Sequence, residues 1–554
     1  MKIRRIASVT ASVAAFALVM TACSSGGGNG AEASDSPAAE ATGGSFSMYI
    51  GEPENPLVPG NTAESEGHQI LSGLFTGLVT YGPKTELTWD GVAESMESSD
   101  SINWTVKLKD GWTFQDGTPV DAESFVDAWN YTAYSPNGYT NSGFFSNIVG
   151  YGDLQAPLGA DGKPTGDPAA KEMSGLKVVD PQTFTVELTG PFAQFPITTG
   201  YTAFFPLPKA FFADPVAYGK KPIGNGPLQA ETEMVPGQGI TLARYDDYKG
   251  TNKAHADTVE MRVYTDVNTA YLDVQNGSLD IVDTIPPDAI TTAPDEFGDR
   301  YQEFPSSSFT YMGIPLYQPR FQDKRVRQAL SEAIDREAIT KAIFNGTREP
   351  ATDAIAPVVD GYREDACKYC TLDVEDANKK LDEAGFDRSQ PIELWFNAGA
   401  GHDAWVEAVG NQFKKNLGVD FVLKGDLQFD QYLPLSEEKG FTGPFRLGWS
   451  MDYPSPQNYL EPLHSTKAFP PAGSNRAFYS SPEFEDLVKQ GNEASSNEDA
   501  IKAYQQADDV LLEDMPIIPM FFGLTQTVNS ERITHVNVDA FTTVDLAAVE
   551  VVNP

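Results

Sequence analysis

The chain begins Met1-Lys2-Ile3-Arg4-Arg5, continues through an apolar run from Ile6 to Ala22, and then reads Cys23-Ser24-Ser25. A positive start, an apolar centre and small residues at the end are the parts of a secretory signal, because the peptidase admits only small side chains at the cut. This opening constrains everything after it. No later apolar run reaches the length of a membrane span. The rest of the chain is therefore expected to fold outside the cytoplasm around its own cores, without crossing the bilayer.

Thr21-Ala22-Cys23 resembles the lipobox of bacterial lipoproteins, in which the cysteine is acylated, with Met20 where that pattern prefers Leu. On this reading residues 1–22 are a signal peptide and Cys23 is the lipidation site. A plain secretory signal with an incidental cysteine is the alternative. Residues 23–44 offer almost no bulky apolar side chain, a composition that stays a flexible linker, so folded sequence should start near Ser45. The remaining stretch of about 510 residues exceeds what one core normally serves, and two or three domains are expected.

Net charge is −39, and −42 once the three leader cations are removed. Phosphate recognition needs basic patches, so nucleic acid is excluded as a partner. Acidity itself names no ligand and reads as solubility. Cys367 and Cys370 are the only other cysteines. A C-x-x-C pair suits redox chemistry in a reducing compartment, or zinc where a second pair exists. With no second pair and an oxidising compartment, a local structural disulfide pinning the loop from Gly361 to Thr371 is the preferred reading.

Trp104-Thr-Val-Lys-Leu-Lys and Phe184-Thr-Val-Glu-Leu alternate apolar and polar residues and predict half-buried strands. Helical spacing appears in Asp121–Asn130, Asp323–Asp335 and Asp373–Ala384, the last with Gly385 as a C-cap. Pro516 should end a helix over Asp508–Asp514. Pro/Gly-rich breaks fall at 222–227 and 315–319. Strands and helices mixed over this length imply an α/β or α+β multidomain protein. There is no G-x-S-x-G, H-E-x-x-H or phosphate loop. The five histidines (68, 255, 402, 464, 535) show no metal-ligand spacing. No catalytic residue, metal or cofactor is expected, and the chain is not read as an enzyme.

Four segments in order resemble one family. They are Trp104–Trp129 (a strand, the Asp116-Gly117 turn, Pro119, then a helix capped by Asp121), Pro222-Ile-Gly-Asn-Gly-Pro, Phe321–Arg336, and Trp449-Ser-Met-Asp-Tyr-Pro-Ser-Pro. Together they are similar to family 5 of the extracytoplasmic solute-binding proteins of ABC importers, and most like its oligopeptide binders. Asn225 stands where the family's G-T-G-P turn has Thr.

The resemblance implies a type II periplasmic-binding-protein fold, α/β, with two lobes joined by two crossover strands and an inserted domain. Lobe I would be 45–88, 223–308 and 524–554, the insertion 89–222, and lobe II 309–523. It implies a monomer that takes a short peptide between the lobes, closes by a hinge, and delivers it to a membrane permease driven by ATPases, while tethered to the cell membrane through Cys23.

Read from the residues alone, Asp452 caps the turn before Pro454; the resemblance implies that it pairs with the peptide α-ammonium, flanked by Trp449 and Tyr453. It further implies a pocket role for Arg446, facing a ligand carboxylate or an internal acid, and a cleft position for His402, otherwise an exposed loop histidine. Ala63, Glu64 and Ser65 align loosely with the segment that bonds the peptide main chain, in a register left open by Pro56 and Pro59. Competing readings keep the fold but bind nickel chelates, haem or oligosaccharides, or make the chain a surface hydrolase or sensor.

Overall fold

A computed structural model describes residues 43–552, apart from 83–84, 158–163, 287, 399–400, 428 and 471–472. The signal peptide, Cys23 and nearly all of the 23–44 linker lie outside the described residues.

Two long antiparallel strands, Tyr301–Gly313 and Ile517–Asn529, form the middle of an 11-stranded sheet. On one side of them the sheet continues through Ile281–Val282, Ser45–Ile50, Thr258–Val263, Gly239–Arg244 and Leu228–Ala230. On the other it continues through Phe445–Trp449, Ile392–Trp395 and Phe421–Lys424, and the short strand Arg348–Pro350 pairs with Ile517–Asn529 off this path. Among the described residues, the chain passes from one side of this sheet to the other along these two strands. Their pairing is interrupted between Pro305 and Phe309. Proline has no amide hydrogen for the ladder, and there Ser307 turns to other partners. Its N–H donates to Ala540 O (3.1 Å), and its carbonyl accepts from the Tyr459 hydroxyl (2.6 Å).

Each half has its own apolar interior. Met48, Leu71 and Leu242 belong to one cluster, Phe309, Tyr459 and Tyr504 to a second, and Met312, Trp405 and Phe413 to a third. A separate four-stranded sheet (Ala93–Glu97, Asn103–Leu108, Thr183–Glu187, Leu176–Asp180) occupies the 89–222 segment. Helix Ala122–Ala133 covers it, with the Phe125 and Trp129 rings 6.0 and 5.6 Å from Phe184. This segment shares the first cluster rather than forming a core of its own.

The local expectations are met with identifiable causes. Asp121 caps Ala122–Ala133 through Ser124 N–H (3.0 Å). Val374–Ala384 ends at Gly385 with φ 65°, a conformation glycine takes without strain. Asn497–Asp514 stops before Pro516. Cys367 and Cys370 form a disulfide. Its loop is anchored by Cys367 N–H on Thr352 O (2.8 Å), while the Cys370 carbonyl accepts from Arg336 (2.8 Å).

Candidate functional site

Three of the four sequence motifs prove architectural. The strand-turn motif meets the Gly224-Asn225-Gly226 turn, where Gly224 N–H donates to Gln115 Oε1 (2.7 Å). Asn225 is fully buried, and its amide both donates to Thr76 O (3.0 Å) and accepts from Thr76 N–H (3.0 Å). An amide can satisfy both groups of a buried peptide at once, which explains Asn at this turn. A Cβ on Gly224 would lie 1.9 Å from Leu74 O, so only glycine fits. In the 321–336 motif, Arg327 donates to Asp514 O (2.7 Å) and Gln328 to Glu513 O (2.7 Å). These carbonyls end a helix and lack intrahelical partners, and a cation suits that end of the dipole.

The Trp449 segment behaves differently. Strand Phe445–Trp449 pairs with the first crossover strand, Trp449 opposite Phe309. Alternation sends Phe445 and Leu447 into the second core cluster and turns Arg446 to the other face. The chain then leaves the sheet after Trp449, three residues before Asp452. Ser455, not Asp452, caps helix Pro456–His464 by accepting from Gln457 N–H (3.1 Å), with Pro456 in the first turn, where a missing amide hydrogen costs nothing.

Asp452 is held instead by Asn458, a residue the sequence did not signal. Asn458 Nδ2 donates to Asp452 Oδ2 (2.9 Å), and Asn458 Oδ1 accepts from Asp452 N–H (2.9 Å) and from the Trp449 indole (3.1 Å). Among the described residues no Lys or Arg pairs with Asp452. Burial pushes its carboxyl above the usual range, and the Asn458 amide offsets part of that. The Tyr453 hydroxyl bonds Gln457, and its ring meets Phe192 edge-on at 6.2 Å.

Tyr201, from the 89–222 segment, feels the charge of this acid. Burial raises its hydroxyl to about 12, and the charges of both Asp452 and Glu64 add to the rise. Glu64 caps helix Ser65–Leu74, accepting from Gly67 N–H (3.2 Å) and Ala63 N–H (3.2 Å), with Ala63 and Ser65 exposed beside it. Burial pushes the Glu64 carboxyl up.

Arg446 and His402 form a second group. Arg446 has one side-chain partner, Asn397 Oδ1 at 3.4 Å, and its Nε has none. No carboxylate pairs with it among the described residues. His402 opens helix Asp403–Leu417; its Nδ1 accepts from the Trp405 indole (3.4 Å) and its Nε2 is buried without a partner. Burial, assisted by the Arg446 charge, lowers His402 to about 4, so the imidazole is neutral. The structure thus joins Asp452 to Trp449 through Asn458, and leaves Arg446 and His402 with one long contact each, to Asn397 and to Trp405.

Residues 90–470 match the family described as bacterial extracellular solute-binding proteins, family 5. The chain belongs to that family. It is 27% identical over 465 residues to the periplasmic murein peptide-binding protein MppA of Escherichia coli K12, covering 82% of this chain and 83% of that one. To the oligopeptide-binding protein OppA of Bacillus subtilis 168 it is 25% identical, covering 94% of each. Among solved structures, the unliganded open form of MppA superposes with a TM-score of 0.81 at 23% identity, covering 93% of this chain and 99% of that one. The fold is thereby that of the type II periplasmic binding proteins.

Proposed function

We propose that this protein is the extracytoplasmic capture subunit of an ABC importer for short peptides. The observation that carries the proposal is Asp452: a carboxylate largely withdrawn from water, oriented by one amide, with no cation paired to it among the described residues. Enclosing a charge without a counter-charge is costly, and an α-ammonium supplies one through charge-assisted bonds. Arg446, equally short of a partner and backed by neutral His402, suits the ligand's carboxylate. Trp449 and Tyr453 screen the ammonium from water. Ala63 and Ser65, both exposed beside Glu64, are assigned to main-chain pairing with the peptide, as in strand addition. The relatives named for murein peptide and oligopeptide binding agree with this ligand class.

Lobe I is taken as 45–88, 223–308 and 524–554, the inserted domain as 89–222, and lobe II as 309–523. The protein acts without catalysis, as a monomer that hands peptide to a permease driven by ATPases. Acylated Cys23 holds it at the outer face of the membrane, and residues 24–44 give it reach. Several acyl chains make such a hold firm where one is marginal. Native mass spectrometry of the mature protein should find peptides released on denaturation. A co-purified metal chelate, haem or sugar instead would overturn the ligand assignment.

A further inference from the structure

The 89–222 segment touches the 309–523 segment at a place away from the two crossover strands. Ala193 N–H donates to Asn492 O (2.9 Å), the Ser101 hydroxyl to Ala494 O (3.2 Å), and the Gln194 amide to Asn497 Oδ1. Phe192 N–H donates to Ser101 O (2.9 Å), so the two donor stretches form one surface. Ser101 and Gln194 are buried. The acceptors lie where helix Pro482–Asn492 ends and helix Asn497–Asp514 begins. Carbonyls at a helix end have no intrahelical partner, and here the other segment supplies one.

From Asn492 a line of hydrogen bonds runs to the site. Asn492 Oδ1 accepts from the Tyr504 hydroxyl (2.7 Å), and its Nδ2 donates to Glu461 Oε2 (3.1 Å). The same oxygen accepts from the Gln457 amide, whose Oε1 accepts from the Tyr453 hydroxyl. Lys467 takes the other Glu461 oxygen. Gln457 and Glu461 are buried and lie one turn apart on helix Pro456–His464, which puts both on one face. The line then closes on itself. The Tyr453 ring meets Phe192 edge-on at 6.2 Å, and Phe192 directly precedes Ala193, where the line began. A buried polar network whose members are satisfied specifies one arrangement. Tyr453 is held from two sides, by its hydroxyl and by its ring, and both lead to the same turn of the 89–222 segment.

We infer that Gln457, Glu461 and Asn492 are positioning residues that act with the Phe192–Gln194 turn to hold Tyr453 beside Asp452, so that contact between the two segments and screening of the ligand ammonium are coupled. This rests on the peptide reading above. Calorimetry with one free-amine peptide and its N-acetylated form tests it. The intact protein should prefer the free amine by about 100-fold. In Phe192→Ala and in Glu461→Ala the preference should fall to about tenfold, and in the double variant also to about tenfold, because both changes break one circuit. Glu461→Gln keeps an oxygen for both amides and should keep the preference. A merely structural role would weaken both peptides alike, so an unchanged preference in both single variants overturns the inference and leaves peptide capture standing. Losses that multiply to near-equal affinities in the double variant also overturn it. Phe192→Ala alters a partly exposed ring, so that arm does not depend on the Glu461 variants folding. No preference for the free amine in the intact protein would overturn the ammonium reading itself, and the inference with it.

Discussion

Asp280 is fully buried and Asp452 partly so, and they differ further in what surrounds them. Asp280, its side chain 1% exposed, accepts from Ser47 N–H (2.9 Å), the Ser530 hydroxyl (2.6 Å) and the Arg532 guanidinium (3.1 Å). Asp452 has one amide and, among the described residues, no cation. Two arginines repeat the contrast. Buried Arg336 donates to Pro519 O (2.6 Å), Cys370 O (2.8 Å) and the Ser331 hydroxyl (2.7 Å), whereas Arg446 has one long contact and an unpaired Nε. A charge that folding encloses with a full set of partners ties segments together: Asp280 joins the first strand to the C-terminal tail. A charge enclosed without them keeps its bonding capacity for something that arrives later. The unequal partnering separates architecture from site more sharply than burial does.

The largest expected effect falls on the architectural acid. Asp280→Ala should cost about 3 kcal/mol of stability in chemical denaturation, because it leaves buried donors unpaired. Asp452→Asn should cost none. A comparable loss at both positions would erase the distinction. Next, Asn458→Ala removes the group that aims Asp452 and should weaken peptide binding about tenfold, given the 1–3 kcal/mol usual for stranded buried groups. Arg446→Gln should lower affinity for a free-carboxylate peptide by about tenfold and leave its C-amidated form unaffected; equal losses would return Arg446 to a structural role.

The smallest effects come with pH. Burial holds His464 down to about 3 and His68 to about 4. The unfolded chain takes up these protons below its ordinary histidine pKa of about 6.5, so stability is undiminished above that pH and falls as pH drops toward 3. His464→Leu should flatten this slope. Asp452 works in the opposite sense. Its raised carboxyl favours the protonated folded form, so its contribution is lost as pH rises through the raised value. Ligand ammonium needs the ionised form, so peptide affinity should weaken on acidification, and Asp452→Asn should remove that dependence.

The elements were legible because each depends on neighbours in sequence: the Asp121 cap, the Gly385 end, the alternation in Trp104–Lys109. The four motifs were legible as a set, but sequence alone did not separate the structural ones from the site. Asn225 and Arg327 look as polar and as conspicuous as Asp452; only their complete hydrogen-bonding marks them as architecture. Asn458 carried no signal, since a lone Asn one helical turn into a segment has no pattern that points to a partner six residues back.

The central claim is that Asp452 is kept unpaired for a ligand ammonium. Calorimetry of one peptide and its N-acetylated form against the intact protein and Asp452→Asn measures this directly. Acetylation should weaken binding to the intact protein by about 100-fold, in keeping with a close charge pair, and should matter little once Asp452 is Asn. Equal losses for both peptides on substitution would mean that the carboxylate serves the fold, and would contradict the assignment.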